Sequence, residues 1–240
     1  MTEQVLPYDR SIVPQETYWW CGPASCQVAL NSHGIIKSER ELMGELEELE
    51  GNRGWDDQDG TDWVGQITTV LNRYLPGYVT RSMPNDPPTR EQVDLLWGDI
   101  VRSIDSGFGV VANIDAPPSN YPRGVKGSTS PAYGGGRVFH YFTVMGYDDN
   151  PEARAVWIAD SGFRPFGYWM AFDQLATLIP PKGYSANPTA KKQRPADLEL
   201  TKKFPSRSKY RANDEPVDTF AGLLLNIDAL VHGRSVEGRG

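Results

Sequence analysis

The chain has 240 residues, 39% of them hydrophobic and 11% aromatic, enough apolar material for one medium domain with a tail or for two small ones. A net charge of -7 argues against nucleic acid as the main partner and offers no basic face to anionic lipid; no apolar run approaches the roughly 20 residues of a membrane span. Two cysteines are too few for a disulfide scaffold or a four-thiolate zinc site.

The start, MTEQVLPYDRS, lacks the basic opening and hydrophobic stretch of a secretory signal, so synthesis in a reducing cytoplasm is expected. The first predicted helix begins at Cys21 and runs through GPASCQVALNSH to Gly34, a suitable C-terminal cap; Pro23 fits only in its first turn. A second helix follows the capping box of Ser38 and Glu41. A third starts near Thr61 and aligns Val64, Ile67, Leu71 and Tyr74, with Asp62 read as its cap. A fourth follows Thr89 and Gln92 and turns Val93, Leu96, Ile100 and Ile104 inward.

After Gly107 the pattern changes to strands: GVVANID, VFHYFTVMGY, AVWIAD and GYWMAF. The Pro-, Gly- and Ser-rich stretch 115–137 reads as a long loop of the kind that usually carries function. Helices first and an antiparallel sheet afterwards describe an α+β domain, placed over 1–186. A solvated linker is expected over 187–216. In 217–240, Phe220, Leu223, Leu224, Ile227, Leu230 and Val231 share one helical face, so this segment either docks on its own domain or opens a further module.

The stretch QETYWWCGPAS raises the question of chemistry. Five residues of helix separate the Cα atoms of Cys21 and Cys26 by roughly 8 to 9 Å, beyond the roughly 7 Å limit of a disulfide. The histidines, His33, His140 and His232, show no ligand-like spacing, and neither a metal nor a cofactor is expected. Cys26, in mid-helix, reads as a buried, inert thiol. Cys21, at a helix N-terminus, lies where unpaired N–H groups and partial positive charge favour a thiolate and where backbone donors can face an oxyanion.

A nucleophilic cysteine needs a base. His33 reads as a helix-end residue and His232 falls in the tail, whereas His140 stands in VFHYFTV on one strand face with Phe142 and Val144. The turn Asp149-Asn150-Pro151 follows. If the hairpin is symmetric about Asn150, His140 faces Asp160, since 140 + 160 is twice 150, with Cβ atoms roughly 4.5 to 5.5 Å apart. A carboxylate there fixes the imidazole tautomer, and a one-residue register slip would separate the two.

The order Gln15, Cys21, His140, Asp160 resembles that of papain-like cysteine peptidases, and Q-x5-C-G-P-A with FHYFTVMGYDD and VWIADSGF resembles the leader-cleaving peptidases of bacteriocin exporters. SIVPQETYWWCGPAS, PPSNYPRGVKGS, YGGGRVFHYFTVMGYDD and AVWIADSGFRPFGYW are similar to the N-terminal peptidase domain of mycobacteriophage lysin A endolysins, a likeness covering about 5–184. No second cysteine and aromatic follow at the papain spacing, which removes any inference about papain's subsite preferences. The resemblance implies a papain-like fold and hydrolysis of peptidoglycan peptides, with Cys21 as nucleophile, His140 as base, Asp160 as orienter and Gln15 on the oxyanion. It also implies synthesis in the host cytoplasm, holin-dependent access to the wall and a second catalytic or wall-binding module downstream. Trp19, Trp20, Tyr121, Tyr133 and Gly134 to Gly136 read equally well as groove wall or as core.

Overall fold

The computed structural model describes residues 2–51 and 60–189; the tail helix over 217–240, nearly all of the linker and His232 lie outside the described residues. Four helices precede most of the sheet: α1 Cys21–Asn31, α2 Glu39–Glu50, α3 Val64–Tyr74 and α4 Arg90–Asp105. The capping boxes of α2 and α4 form as their sequences dictate, with Ser38 accepting from the Glu41 N–H and Thr89 from that of Gln92. The start of α3 differs from expectation. Trp63 is its N-cap, and the Gln66 side chain reaches back to accept the Trp63 N–H at 2.9 Å. Asp62 therefore caps nothing.

The sheet holds seven strands: β1 Glu3–Val5, β2 Val79–Ser82, β3 Val110–Ala116, β4 Val138–Asp148, β5 Ala155–Ala159, β6 Gly167–Ala171 and β7 Gly183–Ala186. A fifth helix, α5 Phe172–Leu178, follows β6. Strand order is β2-β7-β3-β4-β5-β6, with β1 also on β4, and every pairing is antiparallel. Four of the strands are the expected ones. The others, β1, β2 and β7, span three or four residues each, and α5 only seven, too short for a periodic signal.

Strands β3 and β4 are buried on both faces because helices cover both. Val111 and Tyr141 pack with Ala29, Leu30, Leu42, Leu46, Ile67 and Leu71 of α1 to α3. Ala112, Ile114, Phe142 and Val144 point the other way, against Leu96, Ile100 and Ile104 of α4 and Leu175 of α5. This is the α+β architecture expected, with the refinement that α4 and α5 close the second face. The helices on both faces leave β3 and β4 packed from two sides, a firm mount for reactive groups.

The β4–β5 hairpin is not symmetric about Asn150. Near the turn Asp148 opposes Ala155 and Tyr147 opposes Val156; farther out Val144 opposes Ile158 and Thr143 opposes Ala159. The register changes at Met145, which lies opposite no residue of β5, a β-bulge. Carried on without the bulge, the turn-side register would set Asp160 opposite Thr143, on the face away from His140. The register beyond the bulge, continued one residue past the end of β5, sets it opposite Phe142 instead, back on the face of His140. The expected pair thus shares a face, but diagonally and through an irregularity that the symmetric hairpin lacks.

Candidate active site

Cys21 is the first residue of α1, and the local sequence explains the position. Trp20 precedes it as N-cap without a side-chain cap bond, and the Trp20 N–H closes the preceding turn on the Thr17 carbonyl at 3.0 Å. Pro23 sits where helical N–H groups have no intrahelical partner anyway. Gly22 is required by packing: a Cβ there would lie 2.2 Å from Thr61 Oγ1. The Cys-Gly-Pro run therefore starts the helix and lets the 60–62 segment press against its tip. Cys21 is half-buried and a free thiol, while Cys26 is free and fully buried among α1 to α3. Burial pushes the Cys26 thiol far up, as expected of an inert core cysteine.

His140 and Asp160 meet. The imidazole Nε2 lies 2.9 Å from Asp160 Oδ1, with both side chains buried. Cys21 lines the same cleft as the ring and acts on it electrostatically. Burial disfavours a charge on this ring, but the Asp160 carboxylate and the Cys21 sulfur outweigh burial and raise the His140 pKa from 6.5 to about 10.

Asp160 is saturated by donors. Oδ1 accepts from His140 and from the Gly162 N–H at 3.1 Å; Oδ2 accepts from the hydroxyls of Tyr133 and Tyr168, each at 2.9 Å. Four donors fix the carboxylate's plane and hence the direction in which it holds the ring. Tyr133 also stacks on Phe163 at 3.7 Å between centroids, and Phe163 meets the His140 ring edge-on at 5.4 Å. Tyr133 and Tyr168 went unassigned in the sequence because nothing local marks a tyrosine whose partner is 27 residues away. The alternation of GYWMAF could have placed Tyr168 inward, but not onto Asp160.

Gln15 stands beside this group, tied to the residue after the acid. Its N–H donates to the Ser161 carbonyl at 3.1 Å, and Ser161 Oγ donates to Gln15 Oε1 at 2.9 Å. Both Nε2 hydrogens are engaged, with the Thr17 carbonyl at 2.8 Å and the Tyr18 carbonyl at 2.7 Å. The expectation that Gln15 offers a ready oxyanion donor is corrected to that extent: one of these carbonyls must yield first. Tyr18 is 92% exposed at the tip of the turn, so its side chain does not anchor that carbonyl.

A cleft of about 310 Å³ joins these parts, lined by Gln15, Cys21, His140 and Gly162 together with Trp19 and the 60–62 segment. Trp19 is thus wall, Trp20 core. Tyr121 and Tyr133 are packed against the core, and the Tyr121 hydroxyl fixes Gly136 through both its N–H and its carbonyl. The long loop therefore buttresses the acid rather than lining the opening.

A thiol at a helix tip, beside a histidine that a buried carboxylate holds near the end of an inner strand of an antiparallel sheet, defines a cysteine peptidase of the papain-like kind. The chain belongs to the Peptidase_C39 like family, whose model matches residues 8–175, a span containing all four residues. Similar solved structures include the peptidase domain of Streptococcus ComA, a bi-functional ABC transporter involved in a quorum sensing pathway (19% identity, 72% of this chain, 95% of that chain, TM-score 0.40). Others are the bromelain protease from Ananas comosus (13%, 72% and 90%, TM-score 0.44) and digestive procathepsin L 3 of Tenebrio molitor larval midgut (15%, 76% and 70%, TM-score 0.43). No curated protein matches the chain.

Proposed function

We propose that this chain hydrolyses peptide bonds of bacterial peptidoglycan, as the peptidase part of a phage endolysin. The observation that carries the mechanism is the buried Asp160–His140 pair set beside Cys21 at the wall of an open cleft. The substrate rests on the similarity of the motifs around Gln15, Cys21, His140 and Asp160 to mycobacteriophage lysin A.

His140 carries the proton taken from Cys21 as an imidazolium, and the thiolate attacks the scissile carbonyl carbon. With Nε2 on Asp160, Nδ1 is the nitrogen left for the sulfur. The oxyanion is received by the Cys21 backbone N–H and by Gln15 once its Nε2 releases the Tyr18 carbonyl; one such donor is worth about 10²- to 10³-fold in rate. His140 returns the proton to the leaving amine, giving a thioester. It then takes a proton from water, whose hydroxide hydrolyses the thioester and restores the thiol. Acting on the wall, the enzyme made in the host cytoplasm reaches its substrate after holin release.

Purified mycobacterial peptidoglycan is incubated with the protein and the released fragments are read by mass spectrometry. New amino and carboxyl termini are expected with the wild type and with Cys26→Ala, and none with Cys21→Ala. Full release by Cys21→Ala would end the mechanism; new cross-links instead of termini would replace hydrolysis by acyl transfer.

A further inference from the structure

Two charges that catalysis does not use line the cleft, Asp62 and Lys182. Sequence logic assigns Asp62 to a helix cap, but that role belongs to Trp63 and Gln66. Only the backbone of Asp62 is engaged, its N–H donating to Glu50 Oε1 at 3.3 Å, and its carboxylate has no ion-pair or hydrogen-bond partner among the described residues. Lys182 holds its ammonium 4.8 Å from the Phe139 ring centroid and likewise has no carboxylate partner among them. Elsewhere on this surface lysines and acids do pair, as Lys37 does with Glu41 and Lys126 with Glu3. Opposite charges left apart beside a nucleophile are placed for something other than each other.

The same cleft has a polar floor. Tyr141 and Asn113 line it, both buried, and the Asn113 amide donates to the Tyr141 hydroxyl at 2.9 Å. That bond occupies an acceptor site of the hydroxyl and leaves its proton to be donated. Burial, with Cys21, Cys26 and Asp62 nearby, pushes the Tyr141 pKa up, so the group is a neutral donor at any working pH. An apolar peptide side chain would leave this proton without an acceptor, whereas an oxygen on the substrate would take it.

We infer that the cleft selects a peptide carrying both a free carboxylate and a free ammonium close to the cleaved bond, the carboxylate received by Lys182 and the ammonium by Asp62, with Tyr141 donating to a further oxygen. This rests on the reading of Cys21 as the nucleophile of this cleft. It specifies a short, branched or end-exposed peptide stem; the interior of an ordinary protein chain carries no such pair on its backbone.

The test separates binding from hydrolysis by using Cys21→Ala protein and calorimetry. The probe is a stem tetrapeptide containing a diaminodicarboxylic acid, prepared free, amidated on its carboxylates, acetylated on its amine, and blocked at both. The free form should bind at least about tenfold more tightly than the doubly blocked one, the scale of a hydrogen bond to a charged group. Lys182→Met should weaken the free form about tenfold and leave the amidated form unchanged; Asp62→Asn should do the same with respect to the acetylated form. Unchanged melting temperatures check that both variants fold. Equal affinity of all four forms, no binding of any, or losses that ignore which group is blocked would overturn the inference. Selective binding without hydrolysis by the wild type would instead overturn the peptidase reading, and with it the placing of the pair beside a cleaved bond, while showing that the cleft recognises the pair.

Discussion

Replacing Asp160 by Asn removes a charge while keeping a side chain that can accept from the His140 ring and from the Gly162 N–H. The hydroxyls of Tyr133 and Tyr168, now facing an NH₂ group, can rotate to accept instead of donate, so the network survives with its polarity partly reversed. What is lost is the field that holds His140 as an imidazolium. Its pKa lies near 10 against an ordinary 6.5, an interval worth on the order of 5 kcal/mol at about 1.36 kcal/mol per pKa unit, shared between Asp160 and Cys21. Without the carboxylate, burial becomes the main influence and the ring is neutral at pH 7. In the proposed mechanism His140 protonates the leaving amine, so the alkaline limb of kcat/KM should move from near pH 10 in the wild type to below about pH 7.5, with activity at pH 8 reduced by at least about tenfold. Stability gives a second readout with a definite sign. A histidine whose folded pKa is raised stabilises the fold fully below pH 6.5 and loses that contribution as pH rises through about 10. Wild-type melting temperature should therefore fall across that window, and the Asn variant should show a much shallower fall. An alkaline limb in the same place for both proteins would refute the reasoning, because His140 would then owe its charge to something other than Asp160.

Gly162→Ala puts a Cβ 2.9 Å from His140 Cε1 and 3.5 Å from Gln15 Oε1, so the ring must shift; turnover should drop by about 10²-fold while the melting temperature changes little, and unchanged turnover would show that the ring has slack. Tyr133→Phe keeps the stack on Phe163 but deletes one of four donors to a buried carboxylate, which should cost about 1 to 3 kcal/mol in denaturant unfolding and lower kcat with KM unaffected. Glu39 is buried, and burial raises its pKa to about 7 even though it accepts the Glu16 N–H at 3.0 Å. A raised carboxylate costs stability as pH climbs from 4.5 to 7, so Glu39→Gln should match the wild type near pH 4 and exceed it at pH 8 by about 1 to 3 kcal/mol, read from pH-dependent melting.

The parts of the fold legible in the sequence are those with long-range periodicity or a terminal signature. Helices α1 to α4 announce themselves through capping boxes and apolar stripes, and β3 to β6 through runs of β-branched and aromatic residues. What stayed hidden is made of short pieces whose identity comes from their partners. Strand β2, VTRS, alternates half-buried and exposed and becomes a strand because β7 lies beside it; β7, GYSA, is one because β2 and β3 flank it. Asp62 misleads for a related reason. An acid just before a helix usually caps it, and here Gln66 reaches back to the Trp63 N–H and frees the carboxylate for the cleft.

The site shows the same division more sharply. Chain order and residue type single out Gln15, Cys21, His140 and Asp160, but they do not fix the geometry that joins them. A symmetric hairpin puts His140 directly across from Asp160, whereas the actual register at the turn would have set them on opposite faces of the sheet. The bulge at Met145 reverses that parity once, and the pairing then runs past the end of β5 so that Asp160 lies outside the ladder. There its N–H still donates to the Phe166 carbonyl at 3.1 Å, but no strand pairing fixes its side chain; the carboxylate is fixed by four donors, two of them tyrosines on other segments. The hairpin delivers the acid to the correct face, and the tyrosines hold it there.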